Sequence, residues 1–145
     1  MSISLCGRIK DSVVDSNTLE KHLREYYGII RKLSKDDGEE VSYEVNSDYG
    51  RFVVYYVEKK KPPYNVYDSD LVGGEFVFSQ LVVFDLDKEE VCKTTYEDLA
   101  SFFIYLQKKI GSEILVTSDV HDEICLIKKE GCLYTEQFQD LCKPR

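Results

Sequence analysis

Apolar residues recur at three- and four-residue spacing in two stretches of this chain, and they alternate or run together in several shorter ones. The clearest helical stretch is Leu99, Phe102, Phe103, Leu106 and Ile110, which share one face at 3.6 residues per turn. Thr94 with Glu97 three residues on has the form of a capping box. Lys108 and Lys109 suit the negative end of the helix dipole, and Gly111 fits the position after the last turn. Short β-rich runs follow at 113–117, 123–127 and 132–134. Asp119 to Asp122 makes a polar turn between the first two, and Lys128 to Gly131 suits a hairpin loop with a type I turn and a bulge between the last two. The expectation for 94–134 is therefore α-β-β-β.

The N-terminal part begins with alternation over Ile3 to Ile9, a first strand. Asp15, Ser16 or Asn17 can cap a helix whose apolar face is Leu19, Leu23, Tyr26, Tyr27, Ile30 and Leu33. Gly28 lies inside that pattern, and the periodicity carries the helix through it to Asp36-Asp37-Gly38. Val41 to Val45 and Arg51 to Val57 form a hairpin around the turn residues 46–50, and Glu75 to Phe84 forms one long strand with a nearly continuous apolar run. Between them, residues 59–74 read as a long irregular loop, with Pro62 and Pro63 excluding a strand interior and Gly73-Gly74 marking re-entry. The fold class is α+β: a single domain over 1–145, with an antiparallel or mixed sheet of about six strands and two main helices on one face, in the order β-α-β-β-β-α-β-β-β.

Composition narrows the chemistry. With 19 basic and 27 acidic residues in 145, the net charge is −8, which disfavours a general binder of phosphate backbones. Met1 to Cys6 lacks the apolar core of a secretory signal, and no stretch approaches the roughly 20 apolar residues of a membrane span. The five cysteines are odd in number and contain no C-x-x-C pair, which together with the absent signal points to reduced thiols and a cytoplasmic setting. Cys125 and Cys132 are the one pair that a hairpin places in reach of each other.

No phosphate loop, dinucleotide fingerprint, nucleophile elbow or zinc-protease motif is present, so no catalytic residue, metal ligand or cofactor is assigned. Of the two histidines, His22 falls on or near the polar face of the first helix. His121 stands among Asp119, Asp122 and Glu123, a grouping that can make a weak metal or general-base site but is far more often a solvated turn. Lys59-Lys60-Lys61 is a short basic run that could touch nucleic acid or a membrane surface, but in an acidic chain it is usually a solvated strand end, where lysines also discourage edge pairing. The acidic residues are more informative as a set. Asp85, Asp87, Glu89 and Glu90 precede the second helix, and Asp119, Asp122 and Glu123 follow the next strand. If those strand ends lie together, they form one negative patch, suited to a basic protein partner. Tyr64 and Tyr67, beside Asp68 and Asp70 in the long loop, add amphipathic aromatics of the kind found in protein interfaces.

Residues 94–134 also resemble the C-terminal part of small bacterial immunity proteins, which neutralise toxins delivered between competing cells. The resemblance lies in the helix from Leu99 to Ile110, Gly111 with Glu113 to Val116, the acidic turn and apolar strand from Asp122 to Ile127, and the hairpin closing in Lys128 to Tyr134. It covers about the last third of the chain. It implies a cytoplasmic, non-enzymatic domain that binds one cognate toxin protein tightly. Separately, the chain is expected to be a monomer or weak dimer with no direct nucleic-acid or membrane contact. The contacts expected are Tyr64, Tyr67, Asp68, Asp70 and the acidic set. The alternatives are a regulatory or phage-encoded adaptor or homodimerising module, and a small metal-binding enzyme built on the 119–123 turn.

Overall fold

The computed structural model describes residues 2–11, 15–28, 30–32, 40–47, 50–57, 62–87, 93–120, 122–136 and 138. The elements, in chain order, are β1 (Ser2–Ile9), α1 (Ser16–Tyr27), β2 (Ile30–Lys32), β3 (Glu40–Ser47), β4 (Gly50–Val57), β5 (Val66–Ser69), β6 (Gly74–Val77), β7 (Gln80–Asp87), α2 (Lys93–Ile110), β8 (Ile114–Ser118), β9 (Asp122–Lys128) and β10 (Gly131–Tyr134). The fold is α+β. Eight strands form one antiparallel sheet in the order β10-β9-β8-β1-β7-β4-β3-β2, and β5 with β6 forms a separate two-stranded hairpin.

Both helices lie on one face of the sheet. Alternate residues of β1 (Leu5, Ile9), β7 (Val82, Phe84, Leu86) and β8 (Ile114, Val116) join Leu19 and Leu23 of α1 and Leu99, Phe102, Phe103 and Leu106 of α2 in one buried core. Aromatic edges organise it: Phe84 meets Phe102 at 5.7 Å and Phe103 at 5.5 Å between ring centroids, and Tyr26 of α1 meets Phe102 at 5.4 Å. Such edge-to-face pairs add about 0.5–1.5 kcal/mol each beyond the burial of their area. Gly7 of β1 lets α2 approach this closely, since a Cβ there would overlap the Phe103 ring. The opposite face carries a smaller apolar cluster, Leu115 and Leu126 of the sheet against Phe76 and Phe78 of the hairpin segment.

Several boundaries differ from the sequence expectation, for identifiable reasons. Helix α1 ends at Tyr27 instead of running to Leu33. Gly28 takes a left-handed φ of 86° and its N–H returns to the Arg24 carbonyl at 2.8 Å. A helix-interior glycine costs about 1 kcal/mol relative to alanine, whereas a terminating glycine adopts this backbone without Cβ strain. Ile30 is buried as expected, but from β2, where it pairs with Val45. The predicted strand 75–84 is two strands, broken at Phe78 and Ser79. Phe76 and Phe78 pack on the hairpin side of the sheet, while Val82 and Phe84 point to the helices. All four positions are even-numbered, so a single straight strand cannot serve both faces.

Within the predicted irregular loop, residues 62–65 form a turn containing the cis Pro62–Pro63 bond, and β5 and β6 form an ordered hairpin. Thr94 lies inside the first turn of α2 instead of before it. Asp15 is the α1 cap, accepting from the Thr18 N–H at 2.7 Å. The β9–β10 connection is tighter than predicted, with Lys128 opposite Gly131 across two residues. His22 is buried, contrary to a polar-face position, with its ring edge-on to Tyr105 and Nδ1 3.2 Å from Glu25. Cys132 stands opposite Ile127, and Cys125 opposite Tyr134, so the two cysteines are offset by two positions; both are thiols. Asp36 to Gly38, Lys59 to Lys61, Glu89, Glu90, Cys92, His121 and Cys142 lie outside the described residues.

Candidate partner-binding site

The acidic strand ends do come together, across a strand that separates them. β1 lies between β7 and β8, so the ends of those two strands flank its start. Ser4 joins them: its hydroxyl donates to Asp85 at 2.9 Å, and its backbone N–H donates to Asp119 Oδ1 at 3.0 Å. The Asp119 N–H returns to the Ser4 carbonyl at 3.2 Å. Asp87 is placed beside them by the pairing of its backbone with Ser2.

A bulge sets the second half of the site. Val116 pairs with Cys125 but Thr117 pairs with Glu123, so Ile124 is an extra residue in β9. Strict alternation back from Leu126, on the hairpin side, would aim Glu123 into the helix-side core. The inserted residue instead sends Ile124, with Cys125, into that core and turns Glu123 to the hairpin. The carbonyl of Ile124 receives the Thr135 N–H at 3.1 Å. Asp122, next to the bulge, takes a φ of 55°, a backbone region that aspartate tolerates better than most residues.

Glu123 is only 7% exposed, and its carboxylate holds the tip of the hairpin. It accepts from the Ser69 hydroxyl, from the Asp70 N–H at 2.9 Å and from the Leu71 N–H at 3.4 Å. Ser69 Oγ in turn accepts from the Val72 N–H at 3.1 Å. Beside this latch, the Arg8 guanidinium lies 4.4 Å from the centre of the Tyr67 ring and 5.4 Å from that of Phe78, and it donates to the Thr117 hydroxyl. Burial lowers the pKa of Arg8 from its ordinary value, against the opposing influence of Cys6 and Tyr67. Burial raises the Tyr67 phenol; Arg8 opposes this, while the charges of Glu123, Asp122 and Asp70 add to it.

The hairpin presents a different set outward. Val66 pairs with Val77 and Asp68 with Glu75, and all four are exposed. Tyr64 is 74% exposed and Val72 41%. Among the described residues, four of the six exposed large hydrophobic side chains (Tyr64, Val66, Val72 and Val77) therefore lie on this one small element, interleaved with Asp68, Asp70 and Glu75.

Of the residues expected to meet a partner, Tyr64, Asp68, Asp70, Asp119 and Asp122 are exposed, Tyr67 and Asp85 are half-buried against Arg8 and Ser4, and Glu123 is buried under the hairpin. Val66, Val72, Glu75 and Val77 escaped sequence reasoning. No local signal marked them: neither Val66-Tyr67-Asp68-Ser69 nor Gly74-Glu75-Phe76-Val77 alternates apolar with polar residues. No group of three or more His, Cys, Asp or Glu placed to hold a metal occurs among the described residues, and His121 is not one of these. No helix among the described residues is long and apolar enough to cross a membrane. Comparisons with protein families, curated proteins and solved structures find no match for the chain.

Proposed function

We propose that this domain is an immunity-type inhibitor that binds a basic toxin protein through the outward face of the β5–β6 hairpin and the acidic strip beside it. The observation that carries the proposal is the interleaving of exposed apolar and acidic side chains on that hairpin. Exposed apolar side chains gathered on one segment suit a protein interface, and flanking charge of one sign selects and accelerates a partner of the other. The Glu123 latch supports it further, because a hairpin already held in place has less conformational entropy to lose on binding.

The test is recovery from the native host on immobilised protein, at low and moderate salt, with assay of the recovered partner's activity. A basic protein bound one-to-one and inhibited is expected. Asp68→Lys with Glu75→Lys is expected to weaken binding at least tenfold and to flatten its salt dependence. Unchanged affinity in that double variant removes the hairpin face from the interface.

One observation favours a second reading, self-association. Among the described residues, the four-residue β10 is an edge strand with Leu133 46% exposed, and the three-residue β2 is the edge at the other end of the sheet. An open edge is a template for pairing with another chain. Sedimentation of wild type and Leu133→Lys separates the readings: a dimer abolished by the substitution supports pairing through β10.

A further inference from the structure

One edge of the small β5–β6 sheet opens onto a cleft. The Phe78 N–H donates to the Asn65 carbonyl at 2.9 Å, which fixes the phase of the ladder: Tyr67 with Phe76 and Ser69 with Gly74 are the hydrogen-bonded pairs. The backbone N–H and C=O groups of Glu75 and Val77 therefore point away from β5, along the outer edge of β6. No strand among the described residues pairs with that edge. Glu75, Phe76 and Val77, consecutive along β6, line a cleft of about 250 Å³ between the hairpin and the main sheet, and no residue of β5 does. Phe76 is buried toward the sheet, while the side chains of Glu75 and Val77 are exposed. Leu71 of the hairpin turn and Leu126 of β9 complete the apolar part of the lining.

We infer that this edge accepts an extended segment of the protein partner as a third, antiparallel strand, an inference that rests on the inhibitor reading and specifies how the partner is held. The partner residue opposite Phe76 projects into the cleft toward Leu71 and Leu126, and is apolar. The residues opposite Glu75 and Val77 exchange backbone hydrogen bonds with them and project outward. There they continue the two cross-strand rows of the hairpin, Asp68 with Glu75 and Val66 with Val77. Opposite charges and apolar pairs stabilise such rows, so the acidic row calls for lysine or arginine and the valine row for a β-branched apolar residue. In its own N-to-C direction the partner segment therefore reads β-branched, apolar, basic. In strand addition the main-chain bonds supply affinity and alternate side chains supply selectivity.

The probe is the peptide acetyl-Thr-Val-Leu-Lys-Thr-amide, titrated into the 15N-labelled protein and followed by NMR. Saturable shifts at the Glu75 and Val77 amides and around Leu71 and Leu126 are expected. N-methylation of the peptide's lysine, whose N–H faces β6, is expected to weaken binding at least tenfold. N-methylation of its leucine, whose N–H points away, is expected to weaken it less than threefold. Val77→Pro removes one edge N–H without breaking the β5–β6 ladder, and is expected to weaken the parent peptide at least tenfold, its own spectrum reporting that it is folded. Absence of saturable shifts up to about 5 mM peptide overturns the inference. Equal losses from the two methylations overturn it too, since they mean side-chain docking without a strand. Sedimentation of the protein alone covers the other occupant: a dimer abolished by Val77→Pro assigns the edge to a second copy and overturns the partner strand. Each of these failures leaves the hairpin face to be judged by its own charge-reversal variant.

Discussion

The two faces of the sheet are covered by different physics. On one, two helices bury a continuous layer of large side chains against β1, β7, β8 and β9, with Phe84, Phe102 and Phe103 at its centre. On the other, a hairpin of two four-residue strands rests on a four-residue apolar cluster and is fastened by polar groups, Glu123 to its tip and Arg8 to Tyr67. Apolar burial is non-directional and scales with area, so the helix face is tied to the folding of the whole sheet. Hydrogen bonds are directional and few, so the hairpin is tied to particular atoms and opens on its own terms.

The largest expected effect is on the helix face. Phe103→Ala removes a fully buried ring and should lower global stability by about 3–5 kcal/mol, read by chemical denaturation. Gly7→Ala should cost about 1–3 kcal/mol by overpacking against the same ring, and substantially less in a Phe103→Ala background. Additive costs in that cycle would show that the two residues do not meet.

On the hairpin face the effect should be smaller and local. Glu123→Ala leaves the Ser69 hydroxyl and two backbone N–H groups without their acceptor, at a cost of about 1–3 kcal/mol. Hydrogen exchange of residues 66–77 should speed up while that of 82–86 stays nearly unchanged. Equal acceleration of both segments would erase the distinction between the faces. Arg8→Met should loosen the same hairpin less, by about 0.5–2 kcal/mol, through loss of stacking on Tyr67 and Phe78.

The smallest effect expected is at Asp15, whose carboxyl is held below its ordinary pKa chiefly by the Thr18 backbone N–H. A carboxylate with a depressed folded-state pKa stabilises the fold above its unfolded value and loses that contribution as pH falls through the folded value. Acidification into and below the ordinary aspartate range should therefore fray the start of α1. Asp15→Ala should remove that part of the pH dependence, measured by exchange at residues 16–19.

The same contrast explains what could be read from the chain. The helix face was legible because its signals are local and periodic: Leu99 to Ile110 at helical spacing, alternation in β1, and a cap before α1. The end of α1 was misjudged because Ile30 satisfies helical periodicity and a buried strand position equally well, and only the left-handed φ at Gly28 separates them. The hairpin face was largely illegible. Its latch joins Ser69 to Glu123, 54 residues apart, and it depends on one extra residue at Ile124 that no composition or spacing announces. The meeting of Asp85 and Asp119 at Ser4 was foreseen conditionally, whereas Glu123 of the same set is taken up by the hairpin and Glu89 and Glu90 lie outside the described residues. The strand that fulfils the condition, β1, comes from the other end of the chain.

That placement of β1 has a consequence for the order of folding. β1 forms ladders with β7 and with β8, both later in the chain, so its two partners appear only after residues 80–87 and 114–118 have been synthesised. Loop closure of such length is slow relative to local hairpins, and a strand kept waiting exposes both its edges. β3–β4, β5–β6 and β9–β10 are short-range pairings expected to form early, whereas insertion of β1 between β7 and β8 is expected to come late and to join the two halves of the sheet. Blocking that insertion, for instance with Cys6→Pro at the middle of β1, should leave the local hairpins formed but unjoined, a species prone to aggregation that light scattering during refolding would detect.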